Sequence, residues 1–323
     1  MTAAPGWKVW TALGIVYVIW GSTYLAIRYV VESLPPLLSA SARFTTAVLL
    51  LGTYLLVRRG RRALHASRRQ YGNAALVGVL LLTGGNGGVT LAEERGLPSG
   101  LAALLVAAVP LWVVLLRMLD RDRPARRTLL GVGIGFVGLA VLLGPGARPG
   151  DVSLGPAAVV LGSSLLWSIG SYLATRLDMP REPLVASMAE MAAGAVGLLV
   201  VGLARHERLH PADVELSSAL ALLYLVVFGS LVAYTAYSWL LGVAPVSKVS
   251  TYAYVNPVVA VLLGALFVGE DVTTTAVIGG AMTVLAVAVV VSEEGRRRRA
   301  VPGEPAVPQI PEDVQGRERS SAT

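Results

Sequence analysis

The sequence predicts an all-α integral membrane protein: ten transmembrane helices arranged as two inverted five-helix repeats around a central cavity. Three observations predict it. The 323 residues are 54% hydrophobic and only 15% charged, far from the roughly 25% charged of soluble domains. Ten stretches reach the ~20 apolar residues a bilayer core demands: 9–31, 37–57, 72–91, 98–119, 128–144, 155–177, 183–203, 217–241, 246–268 and 273–291. A step of 147 residues then lays one half on the other, pairing Pro36 with Pro183, Pro98 with Pro245 and Pro110 with Pro257, as in a duplicated chain.

Charge gives the expected orientation. One set of alternate connections holds 19 Lys and Arg, including Lys8, Arg58, Arg59, Arg126, Arg127 and Arg296; the other holds four, Arg95, Arg148, Arg205 and Arg208. The positive-inside rule puts both termini in the cytoplasm of a plasma (inner) membrane. Five spans per half is an odd number, so the second half enters the membrane upside down relative to the first. The expected order is a cytoplasmic N-terminus at 1–8, repeats at 9–144 and 155–291, and a disordered basic tail at 292–323, rich in Arg, Pro, Glu, Gln and Ser. The first span lacks a good small-residue cleavage site and is expected to remain as a membrane helix.

Composition also removes chemistries. There is no Cys, and His65, His206 and His210 fall in polar connections, so no metal site or cofactor is predicted. Lys8 and Lys248 are the only lysines, and neither follows a Gly-x-x-x-x-Gly, so no phosphate-binding loop can be drawn. No Gly-x-Ser-x-Gly occurs, and a membrane enzyme is not expected. The net charge of +7 sits in short loops, where topology explains it better than nucleic acid does. The expected partners are the lipid bilayer and a small-molecule substrate; oligomeric state is not written in the sequence.

Taken in order, the spans carry these features. In the first, Tyr17, Trp20, Tyr24 and Arg28 fall on one helical stripe, which suits either a cavity wall or interfacial anchoring. The second follows Pro36 and contains Arg43. The third holds Gly84-Gly-Asn-Gly-Gly88, serving close helix packing or local unwinding that exposes Asn86; Glu93 and Glu94, beside Arg95, read as a solvated face. Pro110 kinks the fourth, and the fifth is Gly-rich. The sixth offers Trp167 and Tyr172, the seventh Glu190, and the eighth Tyr234 and Tyr237. In the ninth, Tyr252 and Asn256 lie at i, i+4, and Pro257 cannot donate to the carbonyl of Ala253, so a bend is expected. The tenth is Gly-rich like the fifth.

Intramembrane charge is costly, about 2.5–3.5 kcal/mol for Asp, Lys or Arg at a helix centre, which makes Arg43 and Glu190 the sharpest signals. Each follows its paired proline by seven residues, about 10 Å along a helix. In a core about 30 Å thick they stand about 10 Å apart in depth, too far for a direct ion pair. Glu190 is the candidate for proton coupling, with a purely structural carboxyl as the alternative.

Four motifs, Trp20-Gly-Ser-Thr-Tyr-Leu-Ala-Ile-Arg28, Gly85-Asn-Gly-Gly-Val-Thr90 leading to Gly96-Leu-Pro-Ser-Gly100, Ala108-Val-Pro-Leu-Trp112 and Tyr252-Ala-Tyr-Val-Asn-Pro257, occur in this order across 9–291. In these the sequence resembles the EamA branch of the drug/metabolite transporter superfamily, and its YedA-type inner-membrane exporters most of all. The resemblance implies two inverted five-helix repeats and export of small metabolites or drugs without ATP. It meets one departure: Gly269-Glu270-Asp271 has its counterpart in Asp120-Arg-Asp-Arg123, so a role tied to the acidic position of the last loop is not carried over to the first half. The leading reading is a secondary transporter exporting amino acids, related amphipathic metabolites or drugs. Trp20, Tyr24, Arg43, Asn86, Trp167, Tyr172, Tyr234, Tyr252 and Asn256 would form its cavity, with helix kinks at Pro110 and Pro257. An importer or facilitator and a lipid scramblase are the alternatives.

Overall fold

The computed structural model describes residues 5–119, 124–144, 154–244, 249 and 251–300. The chain there is helical, with no strand among the described residues. The helices are α1 (Gly6–Ser33), α2 (Pro36–Arg59), α3 (Arg68–Glu94), α4 (Ser99–Leu119), α5 (Arg126–Leu143), α6 (Leu154–Ala174), α7 (Pro183–Ala204), α8 (Leu216–Leu240), α9 (Tyr252–Leu263) and α10 (Thr274–Ala300). Eight of them, all but α5 and α9, are long and apolar enough to cross a membrane.

Two expectations need correction, in the fourth span and in the last. The break in α4 does not fall at Pro110: Ala107 and Ala108 form a turn between its two pieces, Ser99–Val106 and Val109–Leu119. Pro110 thus sits in the first turn of the second piece, where its missing N–H costs little. In the ninth span the helix Tyr252–Leu263 contains Pro257 and runs on into a π-helical turn, Gly264–Val268, while Pro245 and Lys248 lie outside the described residues. The last helix runs on to Ala300, into the stretch expected to be a disordered tail. The acidic counterpart loop 120–123 and residues 301–323 also lie outside the described residues.

Helix ends are satisfied from far along the chain. Pro36 and Pro183 both open their helices in the first turn. The free donors of α2 at Leu37 and Leu38 go to the Glu207 carboxylate, at 2.9 and 3.0 Å. Those of α4 at Ser99 and Gly100 go to Glu270, at 2.7 and 3.0 Å. An anion is well placed at such a helix start. Ser67 and Gln70 close a capping box on α3.

The third helix of each half is wound alike. α3 has a π-helical stretch at Val79–Asn86 and α8 has one at Leu225–Ala233, and the 147-residue step carries the first onto 226–233. Such widened turns leave backbone groups partly free and recur at functional sites.

Glycine sets how closely helices meet. A Cβ at Gly78 would fall 2.1 Å from the Glu190 carbonyl oxygen, so α3 can rest on the backbone of α7 only because none is there. Gly138 and Gly279 make the reciprocal contact between α5 and α10, each Cβ falling 2.9–3.0 Å from the other's carbonyl. The Gly84–Gly88 run both packs and unwinds: Gly84 and Gly85 face Leu166 and Trp167, and the π-helical stretch ends at Asn86.

Two large apolar clusters result, with a smaller third around Ile27, Val30 and Leu225. One joins α1, α4, α5, α8 and α10 through Leu13, Leu105, Leu142, Leu240 and Val290. The other joins α2, α3 and α7 through Phe44, Leu55, Leu82, Met191 and Leu198. Trp20 packs against both. At one end of the bundle Arg59 pairs with Glu182 at 2.9 Å; at the other Arg205 pairs with Glu94 at 3.2 Å.

Candidate functional site

Between the clusters lies a cavity that is partly open and lined mainly by apolar and aromatic side chains, the lining expected of a small-molecule site. Helical spacing builds its wall. Trp20, Thr23, Tyr24 and Ile27 of α1 face it on one stripe, and Leu82, Gly85, Asn86 and Val89 of α3 face it on another. Arg43 comes from α2, Ser163, Ser164 and Trp167 from α6, Gly229 and Tyr234 from α8, and Tyr252 and Asn256 from α9.

Trp20 is the hub of the aromatic wall. Its ring meets Tyr237 at 4.8 Å, Tyr252 edge-on at 5.3 Å and Trp167 edge-on at 5.9 Å between centroids. These are favourable aromatic geometries. Its indole N–H donates to the Gly229 carbonyl at 3.5 Å.

Arg43 is the cation of the cavity. It is buried, its Nε donates to Ser230 Oγ at 2.9 Å, and its guanidinium covers the Phe44 ring at 4.7 Å. The backbone of α8 passes close by, since a Cβ on Gly229 would fall 2.8 Å from Arg43 Nη2. No carboxylate pairs with Arg43 among the described residues, and Glu190 instead accepts from Tyr234 Oη at 2.5 Å. Asn86 Oδ1 and Trp167 Nε1, an acceptor and a donor on the same wall, also have no protein partner among the described residues. Pro110 cannot take the carbonyl of Val106, and Val106 lines the cavity as well. The Asn256 amide is assigned by its surroundings: its nitrogen donates to the Tyr17 and Tyr252 carbonyls, both at 3.2 Å.

The structure therefore brings together Trp20, Tyr24, Arg43, Asn86, Trp167, Tyr234, Tyr252 and Asn256. It leaves two candidates off the wall. Tyr172 does not line the cavity; its ring lies 3.6 Å under the Arg176 guanidinium at the arginine-rich end. Glu190 stands behind Tyr234, joined to the cavity through that hydroxyl. Tyr17 also turns away, hydrogen-bonded to Thr251.

Glu93 overturns the expected solvated face. It is fully buried, with neither carboxyl oxygen partnered among the described residues, whereas Glu94 turns out to Arg205. Successive helical residues point about 100° apart, so polar neighbours in sequence part company in space. The signal was present: Glu93 follows Asn86 by seven residues, two turns along the same face.

Comparison with known proteins agrees with this architecture. A model of the EamA-like transporter family matches residues 8–144 and 155–292. The Escherichia coli (strain K12) protein described as the uncharacterized inner membrane transporter YedA is 39% identical over 305 residues, covering 94% of this chain and 95% of that one. A Salmonella typhimurium (strain LT2) protein named as a probable amino-acid metabolite efflux pump is 24% identical over 268 residues, covering 80% and 86%. A protein of known crystal structure superposes with a TM-score of 0.61 at 19% identity, over 91% of this chain and 99% of that one, and so shares the fold. With both halves matched by the family and nearly the whole length shared with one relative, the chain belongs to the EamA-like transporter family.

Proposed function

We propose that this transporter exports small amphipathic solutes bearing a carboxylate, amino acids and related compounds, across the inner membrane by secondary transport. One observation carries the reading: a guanidinium with no carboxylate partner among the described residues stands in an aromatic-walled cavity. An intramembrane arginine is costly unless it has a task, and a carboxylate is the group it pairs with best. The solute's amine would find Asn86 Oδ1 and the faces of Trp20 and Tyr252, and its apolar part the rings around Trp20. A neutral drug would leave Arg43 unpaired, which favours the metabolite reading. The name of the Salmonella relative points the same way.

In this reading the described helices, with the undescribed connections, form ten spans in two inverted five-helix halves that rock about the cavity. The arginine-rich end is cytoplasmic and so are both termini. Glu190, joined to the cavity through Tyr234, is the proton-coupling group. The domain limits and tail follow the sequence reading, with α10 extending through Ala300.

The test is export from cells. The chain is overproduced in a host loaded with amino acids and short peptides, and the medium is profiled by mass spectrometry against empty vector and Arg43→Gln. The reading requires a few carboxylate solutes to accumulate with the natural chain and not with the variant. A medium identical to the empty vector would sink it. Accumulation inside the cells would mark an importer, and scrambling of labelled lipid by reconstituted vesicles without solute flux would mark a scramblase.

A further inference from the structure

The cavity-facing stripe of α3 does not stop at the cavity. Asn86 and Val89 line it, and Glu93 follows Val89 by four residues on the same face. Its carboxyl is 0% exposed, and neither oxygen has a hydrogen-bond partner among the described residues. α1 presents Tyr24, itself part of the cavity wall, and Arg28 within electrostatic reach; the connection before α10 presents Glu270. Glu270 is already held by the Ser99 and Gly100 amides. Arg43 of α2 is engaged at Ser230, α6 carries no charged residue, and Glu94 turns away to Arg205. A buried carboxylate without a donor is costly to keep charged, and membrane acids of this kind mark proton relays.

We propose that Glu93 is a second proton-binding site of the transport cycle, at the end of the cavity opposite Glu190 and beside Tyr24 of the cavity wall, with no hydrogen bond among the described residues to tie it there. The proposal rests on the proton-coupled reading above. Water at the open face supplies the proton to the Glu93 carboxylate and takes it back when that face reopens, so no further reactant enters. Glu190 then serves the arginine-rich face and Glu93 the other.

Infrared difference spectroscopy of the reconstituted full chain, titrated over pH without any solute, tests this directly. The natural chain should show two protonated-carboxyl C=O bands, one lost in Glu93→Gln and the other in Glu190→Gln. A Glu93→Gln spectrum identical to that of the natural chain would overturn the proposal. Flux gives the second arm, with a mixture of the twenty amino acids as probe. Glu93→Gln should keep counterflow at equal pH but lose accumulation driven by a pH gradient, and Glu93→Asp should restore it. Gradient-driven accumulation by Glu93→Gln equal to that of the natural chain overturns the coupling role. If no amino acid moves even with the natural chain, the transport reading falls while the infrared bands still decide whether Glu93 titrates. If Glu93→Gln does not fold, judged by size-exclusion of the solubilised protein, Glu93→Asp decides: an unmoved band and midpoint would overturn the assignment.

Discussion

Glu190 and Glu93 are both buried carboxyls behind the cavity wall, yet their surroundings differ in kind. Glu190 lies where α3 presses on α7 through Gly78, and it receives the Tyr234 hydroxyl at 2.5 Å. Glu93 lies where α1, α3 and α4 converge and receives no donor among the described residues. The first is a carboxyl locked into a hydrogen bond that leads to the cavity; the second has no hydrogen bond among the described residues and only the more distant charges of Arg28 and Glu270 for company. The difference shows that burial by itself does not define a role. What the carboxyl touches, and what that partner faces, does.

Substitutions can break or sharpen this contrast. The largest effect is expected at Gly78→Val, because the new Cβ meets backbone rather than a side chain that can swing aside. Overpacking of this kind costs about 1–3 kcal/mol or more, and thermal unfolding of the solubilised variant should show it. Gly14→Ala, with open space around the site, should leave the melting temperature unchanged or slightly higher.

Next comes Arg43→Gln. Loss of a charge-assisted bond worth about 1.5–3 kcal/mol predicts roughly 10- to 150-fold weaker amino-acid affinity, measured by concentration-dependent uptake in proteoliposomes. Unchanged affinity would remove Arg43 from the site.

Tyr234→Phe is expected to be milder. It deletes the donor to Glu190 without removing the carboxyl, so the pH profile of transport should keep its form and move by about one to two units, the equivalent of that hydrogen bond. Glu190→Gln should flatten the profile. A profile in Tyr234→Phe that superposes on that of the natural chain would mean that Glu190 does not communicate through Tyr234.

The smallest effect should follow Glu94→Gln. Its pair with Arg205 is partly exposed, and such pairs contribute about 0–1 kcal/mol. Neither flux nor pH dependence should respond, in contrast with its neighbour Glu93.

Much of this was legible in the sequence, for reasons that can be named. Spans were visible because lipid enforces apolar length. The prolines at 36 and 183 gave the duplication away because a proline is tolerated at a helix start. Trp20 and Tyr24 were legible as cavity residues because their spacing puts them on one face of α1, although Tyr17 on the same stripe turns to Thr251 and Arg28 does not line the cavity. Arg43 and Glu190 stood out by cost alone, but cost cannot say whether a charge faces the cavity, and only Arg43 does.

Four features escaped. Tyr172 shares a helix with Trp167, but five residues is not a same-face spacing, and Arg176 one turn later captures its ring. Glu93 was hidden by its polar neighbours, although position 93 continues the face of Asn86. The end of α10 is hidden because its apolar run gives out at Ser292, whereas a helix leaving the bilayer can continue with charged residues; Glu293 pairs with Arg127 at 3.7 Å beyond that point. Chain turns such as Ala107-Ala108 were displaced from the proline that suggested them, since Pro110 starts a helix more easily than it interrupts one.

The central claim is that the cavity recognises a carboxylate through Arg43. It is tested most directly by competition in proteoliposomes, with a labelled amino acid taken up against its unlabelled free acid or against the matching carboxamide. The account predicts that the free acid competes and the carboxamide falls short by roughly tenfold or more, a discrimination that Arg43→Gln abolishes. Equal competition by acid and carboxamide in the natural chain would contradict it.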